Sequence, residues 1–167
     1  EADAAVAEAA GQRGTLAAKG AVLVDARRYR EAAEVLAAAV AQAPDDEMAL
    51  INLALCQAEL GERSVAIANL QSALEHNPHN ARAAADLINC LSGAGEHAAA
   101  LELSEQFLSV HAGERLIIGS YAQALLNAGQ PERAHRLTDC DTLVQVVELD
   151  APTPYANPAE LNAELRQ

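Results

Sequence analysis

Five histidines and three cysteines are the side chains of this sequence with the chemistry to ligate a metal or to act as a nucleophile or base. His76 and His79 flank Asn77 and Pro78, and a three-residue spacing is one that zinc ligands use. No third ligand stands beside them, so we read the pair as solvent-facing histidines of a turn. Cys56, Cys90 and Cys140 make an odd count without a CxxC pair. Cys56 and Cys90 lie 34 residues apart, which in a repeating chain is the same site in neighbouring layers. Packed helices sit about 8 to 10 Å apart, beyond the roughly 7 Å between Cα atoms that a disulfide spans. The cysteines therefore read as small buried thiols of a reduced, cytoplasmic protein. His97, His111 and His135 are expected at helix ends or on second helices, in solvent. No catalytic dyad, metal set or cofactor motif emerges, so the chain is expected to be no enzyme.

The elements that carry these residues are clearest between Glu47 and Pro78. Leu50, Leu53, Ala54 and Leu60 recur at helical spacing, and Val65, Ala66, Leu70, Ala73 and Leu74 do so again, with Gly61 between the two runs and Pro78 at the end. Two amphipathic helices of this size have too little interior to bury both apolar faces, so the pair is expected as one layer of a stack. Shifting the chain by 34 residues superimposes Gly61, Gly95 and Gly129, then Ala32, Ala66, Ala100 and Ala134, then Pro44 and Pro78. Each glycine follows an apolar run, where a helix must stop and a left-handed residue costs least. Each alanine stands early in a second helix, where a small side chain lets two helices approach closely, and each proline ends the second helix.

A 34-residue period with these landmarks resembles the tetratricopeptide repeat (TPR) family, whose unit is a helix-turn-helix with a small residue early in the second helix and a proline near its end. The resemblance rests on Gly20, Ala32, Leu36, Ala39 and Pro44 in residues 13–46, and on Leu50, Leu53, Ala54, Gly61, Ala66, Leu70, Ala73 and Pro78 in residues 47–80. Residues 81–114 keep Leu87, Gly95 and Ala100 but carry Ser104, Phe107 and Ala112 where Leu, Ala and Pro are usual. Residues 115–140 keep Tyr121, Ala122, Leu125, Gly129 and Ala134, and the pattern dissolves after Leu137. The resemblance implies an all-α, right-handed superhelical solenoid of about three and a half repeats. Residues 1–12 are then an N-terminal flank, with the segment RRYR (Arg27 to Arg30) as the first turn.

Composition agrees: 51% of the 167 residues are hydrophobic and 2% aromatic, which suits helices packed through Ala, Leu, Val and Ile. No apolar run approaches the roughly 18 residues of a membrane span, and the first residues lack the parts of a secretion signal. A net charge of −13 argues against nucleic acid, whose phosphates reward Lys and Arg. We read the acids mainly as a solvated outer surface; the other reading, that some steer a basic peptide, requires an affinity that falls with salt.

From residue 141 the character changes. Leu143 to Leu149 is β-branched and alternating, as a strand is. Asn157, Pro158 and Glu160 then mark a helix start, and that helix runs to Gln167 without a stop signal, which suggests a fragment of a longer chain. We expect residues 141–167 to cap the last repeat. The alternative is that the tail, through Leu161 to Leu165, resembles the junction between a TPR array and an Fe(II)/2-oxoglutarate-dependent oxygenase, making the chain the recruiting or oligomerising arm of a larger enzyme. That chemistry needs two histidines and a carboxylate on iron, and the chain has no His-x-Asp or His-x-Glu triplet.

In the family, partners lie along the concave wall of first helices. Carried onto this chain, the wall is Met48, Ile51, Asn52, Leu55 and Glu59, then Arg82, Asp86 and Asn89, then Leu116, Ser120, Gln123 and Asn127. Ile51 and Leu55 read equally well as packing. The family's chaperone-binding members clamp a terminal carboxylate; Asn52 and Arg82 fit that clamp, whereas Ala17, Ala21 and Asp86 depart from it. The expected function is a scaffold that binds a protein or peptide, with no cofactor, no nucleic acid and no membrane, and with self-association through the repeat ends open.

Overall fold

The computed structural model describes residues 16–138, all helices and short turns. Helix α1 covers residues 16–25, followed by α2 (Tyr29–Gln42), α3 (Glu47–Glu59), α4 (Arg63–His76), α5 (Ala81–Gly93), α6 (His97–Val110), α7 (Arg115–Asn127) and α8 (Pro131–Thr138). From α2 to α7 each helix packs on the next, and α5 also packs on α3 and α7, so α3, α5 and α7 make an inner layer. Helices α4 and α6 pack onto α5 from outside. This is the helix-turn-helix solenoid the period implies. The expected strand at 143–149, the helix from Asn157, Cys140 and the flank 1–12 lie outside the described residues.

The turns inside the hairpins are built alike. After α3, the Glu62 N–H donates to Gln57 O at 2.7 Å and the Gly61 N–H to Ala58 O at 3.1 Å. The same crossed pair follows α5 (Glu96 to Leu91, Gly95 to Ser92) and α7 (Gln130 to Leu125, Gly129 to Leu126). These bonds pair carbonyls that a helix end leaves open, and they require a left-handed residue. Gly61, Gly95 and Gly129 supply it at φ of 86°, 85° and 71°. After α1 the same bonds form from Arg28 to Leu23 and from Arg27 to Val24, but the left-handed residue is Arg27, at φ 56°. The first turn is therefore residues 26–28, and Tyr29 and Arg30 of the expected RRYR turn already belong to α2.

Between hairpins, Asp46 and Asn80 cap α3 and α5 by accepting from the Ala49 and Ala83 N–H groups, each at 3.0 Å. The Glu47 carboxylate reaches one layer on to accept from the Asn77 side-chain amide at 3.2 Å and from the Asn80 amide. At Ala112 the proline is missing, and Gly113 takes φ 87° to close that turn instead.

The core is a ladder of equivalent positions. Ala32, Ala66 and Ala100 are fully buried and Ala134 nearly so. Gly20 faces Leu36 so closely that a Cβ on it would lie 2.4 Å from Leu36 Cδ2. In the third repeat, Ser104 replaces the buried leucine and turns its hydroxyl onto Ala100 O at 2.7 Å, while Phe107 stands where the first two repeats bury Ala39 and Ala73. Helices α6, α7 and α8 are tied by a polar cluster: Tyr121 Oη donates to Glu105 at 2.7 Å, and Arg133 donates to both at 2.8 Å.

Candidate protein-binding face

The inner layer holds a cleft of about 470 Å³ between α3 and α5. Its floor is apolar, from Ala54, Leu55 and Ala58 of α3, Leu70 of α4 and Cys90 of α5. Its rim is polar, from Glu59, Arg63, Asp86 and Asn89. Four of the wall positions expected from sequence, Leu55, Glu59, Asp86 and Asn89, thus come together. The period explains it: Leu55 and Asn89 are one repeat apart, and stacked repeats set equivalent residues side by side.

The other wall positions divide. Met48 and Leu116 are 62% and 52% exposed and, with Arg82, hold one register position across three inner helices. Asn52 is half-buried. Arg82 is exposed and its Nε donates to Asp86 at 2.6 Å, one helical turn along. Gln123 donates to Asn127, which donates to the Ser92 hydroxyl at 2.8 Å, so these amides link α7 to α5. Ile51 and Ser120 are buried, at 1% and 8% exposure. Ile51 packs into the core shared by α3, α4 and α5, because the inner helices also bury a stripe against one another.

Sequence reasoning missed Arg63 and Gly93, which meet at the cleft. A Cβ on Gly93 would meet Arg63 Nε at 3.2 Å, so the Arg63 side chain lies directly over this glycine. Gly93 was findable, being one repeat after Glu59 and one before Asn127. Arg63 was not, since it starts an outer helix and reaches the inner face only because the hairpin turn is tight.

The chemistry available here is non-covalent. Burial pushes the Cys90 thiol above its ordinary pKa; Asp86 raises it further, and Arg63 opposes both. Burial likewise raises Cys56. Both thiols stay protonated at neutral pH, so neither is an activated nucleophile. The histidines do not converge as the sequence pairs them: His76 Nδ1 bonds to Ser72 O at 2.7 Å, and His79 Nδ1 meets His111 Nε2 at 2.9 Å. His97, expected in solvent, has a buried Nδ1 with no hydrogen-bond partner. No group of three or more His, Cys, Asp and Glu side chains able to hold a metal occurs among the described residues, and no helix there is long and apolar enough to cross a membrane.

Comparison with known proteins agrees with this architecture. No curated protein matches the chain significantly. A solved structure of MamA is 22% identical, covers 82% of this chain and 79% of its own, and superimposes with a TM-score of 0.67; a second MamA structure is 26% identical over 75% and 73%, also at 0.67. The second TPR domain of human RPAP3, solved in complex with the HSP70 peptide SGPTIEEVD, is 15% identical, covers 70% of this chain and 97% of its own, and has a TM-score of 0.64. Two family profiles, each described as tetratricopeptide repeat, match residues 17–63 and 64–106, together more than half of the sequence. The chain belongs to the tetratricopeptide repeat family.

Proposed function

We propose that this chain is a protein-interaction scaffold that holds a peptide or partner segment in the α3–α5 cleft and performs no chemistry on it. The observation that carries this reading is the cleft itself, an apolar floor with a mixed-charge rim where neighbouring repeats meet. Apolar floors supply affinity and sparse polar rims supply orientation. A reducing compartment such as the cytoplasm suits the two buried thiols, Cys56 and Cys90. The solved relatives include a yeast Sti1 TPR domain in complex with pHsp70, yet we assign a different ligand here. Arg82, the cation placed to hold a terminal carboxylate, is occupied by Asp86 at 2.6 Å.

The test is peptide selection by phage display on the intact chain, with Asn89→Arg as the discriminating variant. Asn89 is exposed, so its substitution leaves packing intact. Selected peptides are expected to lose at least tenfold in affinity on N89R; affinity unchanged by N89R overturns the cleft as the site. Calorimetric titration with SGPTIEEVD is expected to give no saturable heat. Saturation that is abolished by Arg82→Ala would instead restore the carboxylate clamp.

A further inference from the structure

On the outer side, α4 and α6 pack onto α5 rather than onto each other, and the space between them is a second cleft of about 290 Å³. Leu74 and Pro78 line it from one helix and the turn after it, Leu103, Phe107 and Val110 from the other, and His79 and His111 from the two turns. Two features of this repeat create it. Phe107 replaces the alanine of the earlier repeats and brings an aromatic ring to the cleft. His111, in the turn after α6, lies tilted against Phe107 with ring centroids 4.8 Å apart and meets His79 edge to face at 5.0 Å, which closes one end. Val110 remains 67% exposed beside the opening.

Charge identifies the occupant. Glu75 lines a hollow that shares Leu74 with this cleft. On the opposite rim, Glu102 accepts from Gln106, itself a lining residue, at 3.0 Å. Neither carboxylate has an ion-pair partner among the described residues. Helix α6 contains no Lys or Arg, and the only one in α4 is Arg63, at its far end and turned to the inner cleft. Opposed surfaces associate when their potentials are complementary.

We propose that the α4–α6 cleft is a second docking site, which takes a partner segment presenting one or two bulky apolar side chains flanked by lysine or arginine. The apolar residues enter between Leu74, Leu103 and Phe107, and the flanking cations meet Glu75 and Glu102. This surface is independent of the inner cleft and stands whether or not that cleft binds a peptide.

The probes are two synthetic dodecapeptides with the same Leu-Phe centre, one flanked by lysines and one by glutamates, titrated into the intact chain at low salt. The lysine-flanked peptide is expected to bind at least tenfold tighter. Val110→Arg, an exposed position that folds without strain, is expected to abolish that binding, whereas Val22→Arg, which adds the same charge at an equally exposed position on α1 outside both clefts, leaves it within threefold. Glu75→Gln with Glu102→Gln is expected to bring the two peptides within threefold of each other. No saturable binding of either peptide, equal affinity of the two, or a loss on V22R as large as on V110R overturns the proposal.

Discussion

Replacing Arg27 by glycine should stabilise the array. Arg27 stands one repeat before Gly61 in a turn with the same crossed hydrogen bonds, yet it is held at φ 56° with a Cβ. An L-residue with a side chain spends roughly 1–2 kcal/mol in that region. Glycine avoids this cost but is freer in the unfolded chain, which takes back roughly 0.5–1 kcal/mol. Arg27 also puts a positive charge beyond the C-terminal end of α1, a dipole contribution of about 0.3 kcal/mol at an exposed site. Comparing Arg27→Gly with Arg27→Ala cancels the charge, since both remove it and only alanine keeps the strained Cβ. The structure predicts R27G about 1 kcal/mol more stable than R27A, roughly 3 °C in Tm for a chain of this size. Urea denaturation with equal slopes for the two variants is the assay, with amide exchange in α2 as a local readout, because repeat arrays open from their ends. If R27G is no more stable than R27A, the first hairpin does not close with the bonds described here.

Three further outcomes follow from the packing and the polar cluster. Gly20→Ala should cost roughly 1–3 kcal/mol by overpacking, since the new Cβ falls 2.4 Å from Leu36; a urea midpoint equal to the parent's would refute the close approach of α1 and α2. Gly119→Ala should stabilise α7 by roughly 0.5–1 kcal/mol, because an added Cβ there meets nothing within 4 Å, and a fall in Tm would contradict the open surface. Hydrogen bonds from Tyr121 and then Arg133 hold the Glu105 carboxyl below its usual pKa. A carboxyl depressed in the fold adds stability above its unfolded value, near pH 4.3, and loses it as pH falls through the folded value. Glu105→Gln should therefore flatten the acid limb of stability against pH, by a small amount because the side chain is 54% exposed; identical limbs would show that the cluster is not formed.

Much of this molecule is legible in its sequence, because a solenoid repeats its geometry and so repeats its constraints. Gly61, Gly95 and Gly129 mark turns since only a left-handed residue allows the crossed bonds, and Ala32, Ala66, Ala100 and Ala134 mark the closest helix contacts. The same period brings Leu55 and Asn89 together in the inner cleft without any long-range information. The departures were legible as departures but not in their effects. Ser104 was visible as a missing leucine; its hydroxyl returning to Ala100 O was not, and neither was the outer cleft formed around Phe107.

Short-range patterning repeated every 34 residues is enough to set the glycine turns, the stacking of hairpins and the buried ladder. Tertiary structure alone decided which side chains are accessible. Ile51 and Leu55 occupy the same helix one turn apart, yet Ile51 is buried among α3, α4 and α5 while Leu55 faces the cleft. The difference lies in how a neighbouring helix crosses them. Nor does local pattern bring Arg63 over Gly93 or His79 against His111, because these contacts depend on how separate helices and turns pack rather than on the order of residues along the chain.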